Sequence, residues 1–376
     1  MLDRFLVSSF ITPYVFRSRD VGTGVGLAIS DLDFRQQRRQ ERSVLLLSYT
    51  SEGQREYRIK WRRWLHQIEL PEGGILTEER SFIDTELGYN RTLTHRFFGL
   101  GGDTDEPDET SYTEKTVYAS LDLERSVPEP GSNWVFQLGA SGASHRLTPG
   151  KVSNRPSTDD VYPGLFADAQ DHNMGWLRLG LRYDTRDSQQ SPYRGWHIGG
   201  LAAWAPFQSG GDTGAIYTWS ASKVFRTFSL FHNGGDLREE NPTTDTVAFG
   251  FRNQYARGEL PFFELPSLGG TEHHRGFIAG RFRDRASWLG AAEYRFWFLP
   301  RGFAITRSIR VERAGAALFY EVGAVGGSVS GLFHEKVRHS YGASLRVSFD
   351  RVNPLRFDFG FSEEGMEFSL AYGLSF

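Results

Sequence analysis

Apolar and polar residues alternate with a period of two through much of the chain, most cleanly at its end. In Met366–Phe376 one face carries Met366, Phe368, Leu370, Tyr372, Leu374 and Phe376, and the other carries Glu367, Ser369, Ala371, Gly373 and Ser375. Successive side chains of a strand point to opposite faces, so this pattern predicts a strand with one apolar and one polar side. Just before it, Leu355, Phe357, Phe359 and Phe361 oppose Arg356, Asp358 and Gly360. Ala343, Leu345, Val347 and Phe349 oppose Ser344, Arg346, Ser348 and Asp350. Leu177, Leu179, Leu181 and Tyr183 oppose Arg178, Gly180, Arg182 and Asp184, and Val117–Leu123 repeats the rhythm. The final stretch has the length of about 9–11 residues that a tilted strand needs to cross a bilayer.

Followed along the chain, the rhythm predicts sixteen strands, at 5–16, 22–34, 42–51, 54–67, 79–94, 111–126, 133–146, 175–187, 194–206, 214–230, 244–257, 285–299, 313–325, 339–350, 354–362 and 366–376. An even number puts both ends of the chain on the periplasmic side. The long connections 95–110, 147–174, 258–284 and 326–338 then fall outside the cell. Connections 68–78, 231–243 and 300–312 are long for periplasmic turns, which leaves fourteen or eighteen strands open. A soluble β-sandwich also alternates. Strands longer than the usual 5–6 residues, with opposite charges paired on their polar faces, favour the other solution. The expected fold class is all-β, a transmembrane antiparallel β-barrel of sixteen strands, with residues 1–376 as a single domain and an interior wide enough for water unless a loop fills it.

Composition strengthens that reading. The chain has 376 residues, no Cys, 42 Gly and 14% aromatics. Without Cys, disulfide scaffolds and Cys-based metal or redox sites are excluded. No run approaches the ~20 apolar residues of a membrane helix. The opening MLDRFLVSSFITPYVF lacks the compact apolar core and small-residue cleavage site of a secretory signal. The net charge of −3 argues against nucleic acid, whose partners carry a basic patch. Lys occurs at positions 60, 115, 151, 223 and 336 only, so 38 of the 43 basic residues are Arg. On alternation Arg178, Arg182, Asp184, Arg186, Glu293, Arg295, Arg346, Asp350, Arg356 and Asp358 point inward, where planar guanidinium forks can serve several carboxylates at once. Trp61, Trp64, Trp134, Trp176, Trp196 and Trp204 sit near strand ends and are expected in interfacial girdles. No cofactor is expected. Asp103, Asp105 and Asp108 lack the spacing of a calcium loop, and no metal site is assigned.

The segment Leu265–Phe277, LPSLGGTEHHRGF, resembles the sixth-loop Arg-Gly-Phe motif of the BamA/TamA superfamily, the barrels of outer-membrane protein assembly and two-partner secretion. FFGLGGDT at 97–104, YDTRDSQQSPYRG at 183–195, FYEVGAV at 319–325 and the ending NPLRFDFGF…FSLAYGLSF are similar to the same family in the same order. The resemblance implies a bacterial outer-membrane location and a sixth loop folded into the lumen. Its Arg, here Arg275, would pair with an acidic residue of the thirteenth strand, here Glu321, where the family usually has Asp. The residues agree independently. Leu318, Tyr320 and Val322 alternate outward, so Glu321 faces in, and Gly323 on the same inner face lets a loop approach closely. Gly276 gives the loop a bend and Phe277 an anchor. Phe376, with Leu374 and Tyr372 on the apolar face, matches the family's carboxy-terminal sorting signal. The resemblance departs in one respect. Periplasmic POTRA domains need about 100 residues each, and the first predicted strand begins almost at residue 5.

The function so implied is insertion or translocation of a protein or lipid substrate at the outer membrane through a weak seam between first and last strands. Pro13 in the first strand lacks a ladder N–H and belongs at such an edge. Expected partners are the lipid bilayer and lipopolysaccharide, an unfolded protein client, and either a second copy of the chain or a separately encoded periplasmic protein. Two other classes stay open: a passive porin-like channel, with the acidic run Asp103–Glu109 as a constriction, and a membrane anchor for another protein. Catalysis is not expected, because no Ser/His/Asp arrangement follows from the spacing of the ten His.

Overall fold

The computed structural model describes residues 9–18, 21–32, 40–69, 75–231, 244–300, 302–304, 310–348 and 354–376. Sixteen antiparallel strands form one sheet in which each pairs with its neighbours in the sequence. They are β1 (Ser9–Ser18), β2 (Gly22–Leu32), β3 (Glu41–Thr50), β4 (Arg55–Trp64), β5 (Phe82–Phe97), β6 (Thr110–Val127), β7 (Trp134–Pro149) and β8 (Asp171–Asp184). The second half holds β9 (Gly195–Gln208), β10 (Gly214–Thr227), β11 (Asp245–Gly258), β12 (Ala286–Leu299), β13 (Arg313–Gly326), β14 (Arg338–Ser348), β15 (Pro354–Ser362) and β16 (Gly365–Tyr372). The sequence rhythm and the sheet therefore agree on sixteen strands.

Register explains why the rhythm works. Leu345 stands opposite Phe357, which stands opposite Leu370, and the neighbouring row is Ala343, Phe359 and Phe368. These rows face outward: Leu345 is 43% exposed, Leu370 55% and Leu318 57%. On the inner face Ser344 pairs with Asp358 and Arg346 with Arg356, and all four are buried. A globule that exposes Leu and buries Arg inverts the soluble rule, and hydrocarbon is the solvent that rewards such an exterior. The apolar rows are not buried together in a dry interior, so the sandwich alternative fails. Phe349 and Asp350 lie outside the described residues.

Among the described residues, two of the long turns carry small ribbons rather than barrel strands. The turn after β4 carries a small ribbon, Gln67–Glu69 paired with Ile75–Thr77, and the turn after β12 carries another, Phe303–Ala304 paired with Arg310–Val311. Much of the third, 232–243, lies outside the described residues. Outside the cell, the β7–β8 loop forms helices α1 (Thr158–Val161) and α2 (Pro163–Ala169). Phe166 and Ala169 of α2 pack with Phe97, Tyr112, Leu147 and Phe262 into an apolar cap. The acidic run sits on this side as well, where Glu106–Asp108 is a short 3-10 turn and Glu109 pairs with Arg96 and Arg155. Glu106 and Glu109 line a cavity shared with Gly276 and Phe277 of the 259–285 loop.

Three expectations need correction. The last strand stops at Tyr372 rather than Phe376. Gly373 takes a positive φ of 97°, donates its N–H to the Pro354 carbonyl and turns the chain out of the ladder. Phe376 then lies inside the barrel, close enough to the wall that a Cβ at Gly250 would meet its ring at 2.7 Å. The Arg295 guanidinium lies 5.3 Å from the centre of that ring and donates to the Phe376 carbonyl. Leu374 and Phe376 thus do not extend the outer row of Phe368 and Leu370. Two of the six Trp also leave the girdle. Trp176 lines an inner cavity beside Arg178 and Asp122, and Trp64 shares the inward parity of Arg62, whereas Trp134, Trp196 and Trp204 are exposed on the outer face.

An outward Leu in lipid should be intolerant of charge. We expect Leu318→Arg, near the middle of β13, to cost about 2–4 kcal/mol in phospholipid vesicles, read as a shift of the guanidinium unfolding midpoint. A neutral result would place this face in water.

Candidate functional site

Residues 259–285, between β11 and β12, turn back into the lumen. The loop starts with a 3-10 turn, Phe262–Glu264, and is gathered by a two-stranded ribbon, Ser267–Leu268 with Phe282–Arg283. Gly269 and Gly270 adopt φ of 110° and 100°, conformations that only glycine takes without strain. Their N–H groups donate to the carbonyls of His273 and Phe277, which folds 269–277 into a compact knot. Phe277 and Phe282 then pack with Leu268, Leu289 and Val325.

Arg275 is the centre of this knot and is only 1% exposed. Its Nε donates to Glu321 Oε1 at 2.8 Å and its backbone N–H to Glu321 Oε2 at 2.6 Å. Its Nη1 donates to Glu293 Oε2 at 2.9 Å, and Asp358 stands 3.8 Å away. The guanidinium also lies over the Phe319 ring, 3.6 Å from its centre. The expected Arg275–Glu321 contact is present, but the fork is not spent on one carboxylate. Glu is long enough to reach the loop backbone, which leaves Nη1 for Glu293.

Glu293 is shared in turn. Arg295 and Arg346 donate to it at 2.6 and 2.5 Å. Arg356 pairs with Asp358 at 3.0 Å and with Glu272 of the loop at 3.0 Å. Arg275, Arg295, Arg346 and Arg356 are thereby matched by Glu272, Glu293, Glu321 and Asp358. Equal charge matters here, because each ion taken out of water costs several kcal/mol that only good pairing offsets.

The wall is built to let a backbone come this close. A Cβ at Gly323 would lie 2.9 Å from Leu268 and 3.4 Å from His274. A Cβ at Gly360 would meet the Arg275 carbonyl oxygen at 2.2 Å, and one at Gly276 would meet Ser340 at 2.6 Å and the Phe361 carbonyl oxygen at 2.7 Å. Gly323 and Gly276 were expected in this role. Gly360 and Ser340 were not, although their small size on the inner face was visible in the alternation.

The remaining inward charges form a separate system on the β6–β8 wall. Arg178 makes two 3.0 Å bonds to Asp122, Arg182 lies 2.5 Å from Glu124, and Arg186 binds Asp184 through Nε and Nη2 at 3.0 and 2.8 Å. The inward charges named from sequence thus divide into a loop lock and a wall brace. Alternation puts Asp122 and Glu124 on the polar face of their strand without naming their partners, and sequence reasoning missed Glu272 and above all Arg281. That side chain donates to the Thr104 hydroxyl and carbonyl at 2.9 and 2.8 Å and to Glu364 of the β15–β16 turn at 2.8 Å. It stacks over Phe98 and Phe282 on the way. The signal was available, since Thr104 ends the FFGLGGDT segment. Tyr372 closes the last strand, and Leu374 and Phe376 follow the inward turn.

Two histidines precede Arg275. His274 is buried, has a positive φ of 77°, and its Nε2 donates to the Arg338 carbonyl at 3.1 Å. His273 accepts a bond from Arg252. Burial holds both imidazoles down at about 4, helped at His273 by the charge of Arg252.

Two expectations follow. Arg275→Ala strands Glu321, Glu293 and Asp358 together and should cost on the order of 3–5 kcal/mol, the range for breaking a buried pair. The unfolding midpoint should fall and protease should cut within 259–285, whereas Glu321→Gln, which can still accept the backbone N–H, should cost less. The histidines give a pH dependence. Their folded values lie below the ~6.5 of the unfolded chain, so the unfolded state binds more protons between the two. Their contribution is intact above about 6.5 and is lost as pH falls toward 4. A plateau of loop protection from proteolysis above pH 6.5, declining below it, is the expected profile. A flat profile from 7 to 4 would remove the histidines from the lock.

Comparison with known proteins places the architecture. Residues 31–376 match the Omp85 superfamily domain. No curated protein matches the chain. Among solved structures, BamA from Haemophilus ducreyi lacking POTRA domains 1–3 is similar at 15% identity and a TM-score of 0.55, over 97% of this chain and 69% of that one. CdiB from Escherichia coli is similar at 10% identity and a TM-score of 0.57, over 97% of this chain and 61% of that one. CdiB from Acinetobacter baumannii gives 12%, 0.51, 99% and 66%. This chain therefore spans about three fifths to two thirds of each. The barrel, its inverted burial and the match over nearly the whole chain lead to one conclusion: the protein belongs to the Omp85 superfamily, the BamA/TamA-type barrels of the outer membrane.

Proposed function

We propose that the barrel inserts or translocates a protein substrate at the outer membrane, with loop 259–285 closing the lumen and the β1–β16 edge serving as the exit. The observation that carries this reading is a contrast in bonding. Every sequential pair of strands from β1 to β16 is hydrogen-bonded, yet among the described residues no ladder joins β1 to β16. Pro13 of β1, opposite Leu27, carries no N–H, as suits a residue of an edge strand. An unpaired edge is a template on which another strand can add. An unfolded polypeptide with alternating faces supplies such a strand, and a seam here lets it pass sideways into lipid without a buried backbone group losing its partner.

Outer partners on this reading are phospholipid and lipopolysaccharide against the exposed apolar band. The turns after β4, β10 and β12 would offer a periplasmic face to a separately encoded protein or a second copy. Tyr372, Leu374 and Phe376 would act as a sorting signal in the unfolded chain, before the tail is drawn inside. Catalysis is no part of this reading. A porin-like role fits less well, since the locked loop occupies the lumen beside β12–β15.

Reconstitution into liposomes with an unfolded barrel client tests the proposal. Client folding should be faster than in empty liposomes, with low basal conductance. A cross-link between β1 and β16 should abolish the acceleration without unfolding the protein. Large open conductance with no acceleration would support the passive channel instead.

A further inference from the structure

Arg252 of β11 stands apart from the other lumenal arginines. Arg178, Arg182, Arg186, Arg275, Arg295, Arg346 and Arg356 each reach a carboxylate within 4 Å. Among the described residues Arg252 forms no ion pair. Its Nη1 meets the neutral His273 ring, and its Nε is buried with no hydrogen-bond partner. A half-buried guanidinium held without a counter-charge is costly unless an anion joins it.

Arg252 lines three adjoining cavities; two of them also hold carboxylates, Glu272 and Glu321 in one and Asp122 and Glu264 in the other, and the third suits an anion. A cavity of about 240 Å³ is lined by Arg182, His197, Thr218, Ser220, Arg252 and Gln137, with small and apolar residues completing it and no carboxylate among them. Thr218 already accepts a bond from Gln254 Nε2, so its hydroxyl proton is free to donate inward. Gly199 contributes no side chain and keeps the room open. The carboxylates that neutralise Arg182, Glu124 and Asp184, do not line it.

We propose that this cavity binds a small soluble oxyanion, a phosphate or a carboxylate. Guanidinium forks match such groups, with hydroxyl donors to fix orientation. The volume holds one such ion with several waters, each taking ~30 Å³. The site lies on the inner face of β7–β11, away from lipid, so the ligand comes from the aqueous lumen. Because Arg252 also holds His273, an anion bound there would tighten the seat of the loop. The inference stands whether or not the seam opens.

Thermal unfolding of the full chain in detergent micelles tests it, at pH 7.5 and matched ionic strength, with sodium phosphate, acetate or chloride. A saturable rise of the midpoint with phosphate or acetate, absent with chloride, is expected. Arg252→Gln should raise the half-saturating concentration at least tenfold, equivalent to about 1.4 kcal/mol. Arg252→Lys, which keeps the charge, should retain saturation. Arg178→Gln, whose partner is Asp122 and which lies outside the cavity, should leave half-saturation unchanged. No saturable rise in the native chain, or equal half-saturation in the native chain and Arg252→Gln, would overturn the proposal. The native titration decides the matter even if the Gln variant fails to fold.

Discussion

A guanidinium fixed inside a barrel has to be neutralised where it stands, and the whole lumenal arrangement follows from how Arg275 meets that demand. Its charge is divided between Glu321 on β13 and Glu293 on β12, with Asp358 on β15 close by. Three strands are therefore tied to one side chain of the loop that leads into β12. Arg295, Arg346 and Arg356, with Glu272 of the loop, return the balance to zero, so the cluster carries no uncompensated ion. The glycines of the wall are the geometric half of the same condition, because the carboxylates can reach Arg275 only if the loop backbone lies almost against the sheet.

That condition explains why the fold tolerates its inverted burial. Hydrocarbon stabilises the outer rows of Leu, Phe and Val, but it offers nothing to the interior. Stability inside must come from polar networks, in which buried charges are paired with one another. The wall brace on β6–β8 and the loop lock on β12–β15 are two such networks on different parts of the circumference. Between them lies the less crowded region around Arg252, with its hydroxyls and small residues. The lumen is thus asymmetric, with a bound loop on one side and cavities lined by small and polar residues on the other.

Much of this was legible in the sequence because period-two alternation is a local property. Leu345, Phe357 and Leu370 announce their face without help from the rest of the chain, and so do Arg346, Arg356 and Asp358. Arg275 and Glu321 were paired through a resembling motif and the inward parity of Glu321. The parts that stayed hidden depend on contacts across long stretches of chain or on a single backbone torsion. Nothing local says that Glu293 would take a share of Arg275, or that Arg281 would reach Thr104, 177 residues away. Gly373 illustrates the second case. Simple alternation carried the apolar row through to Phe376, but one residue with positive φ ended the strand and reversed the side on which the last aromatic lies.

Arg281 has a mechanical meaning beyond its bonds. It belongs to the inserted loop, yet it grips the tip of the final hairpin through Glu364, while Arg338 beside it holds Glu363 and the Gly102 carbonyl. The stopper and the outer end of the last hairpin are consequently one lever. Withdrawing the loop would pull on the hairpin that carries the last strand, and any displacement of that hairpin would be felt at once by the loop.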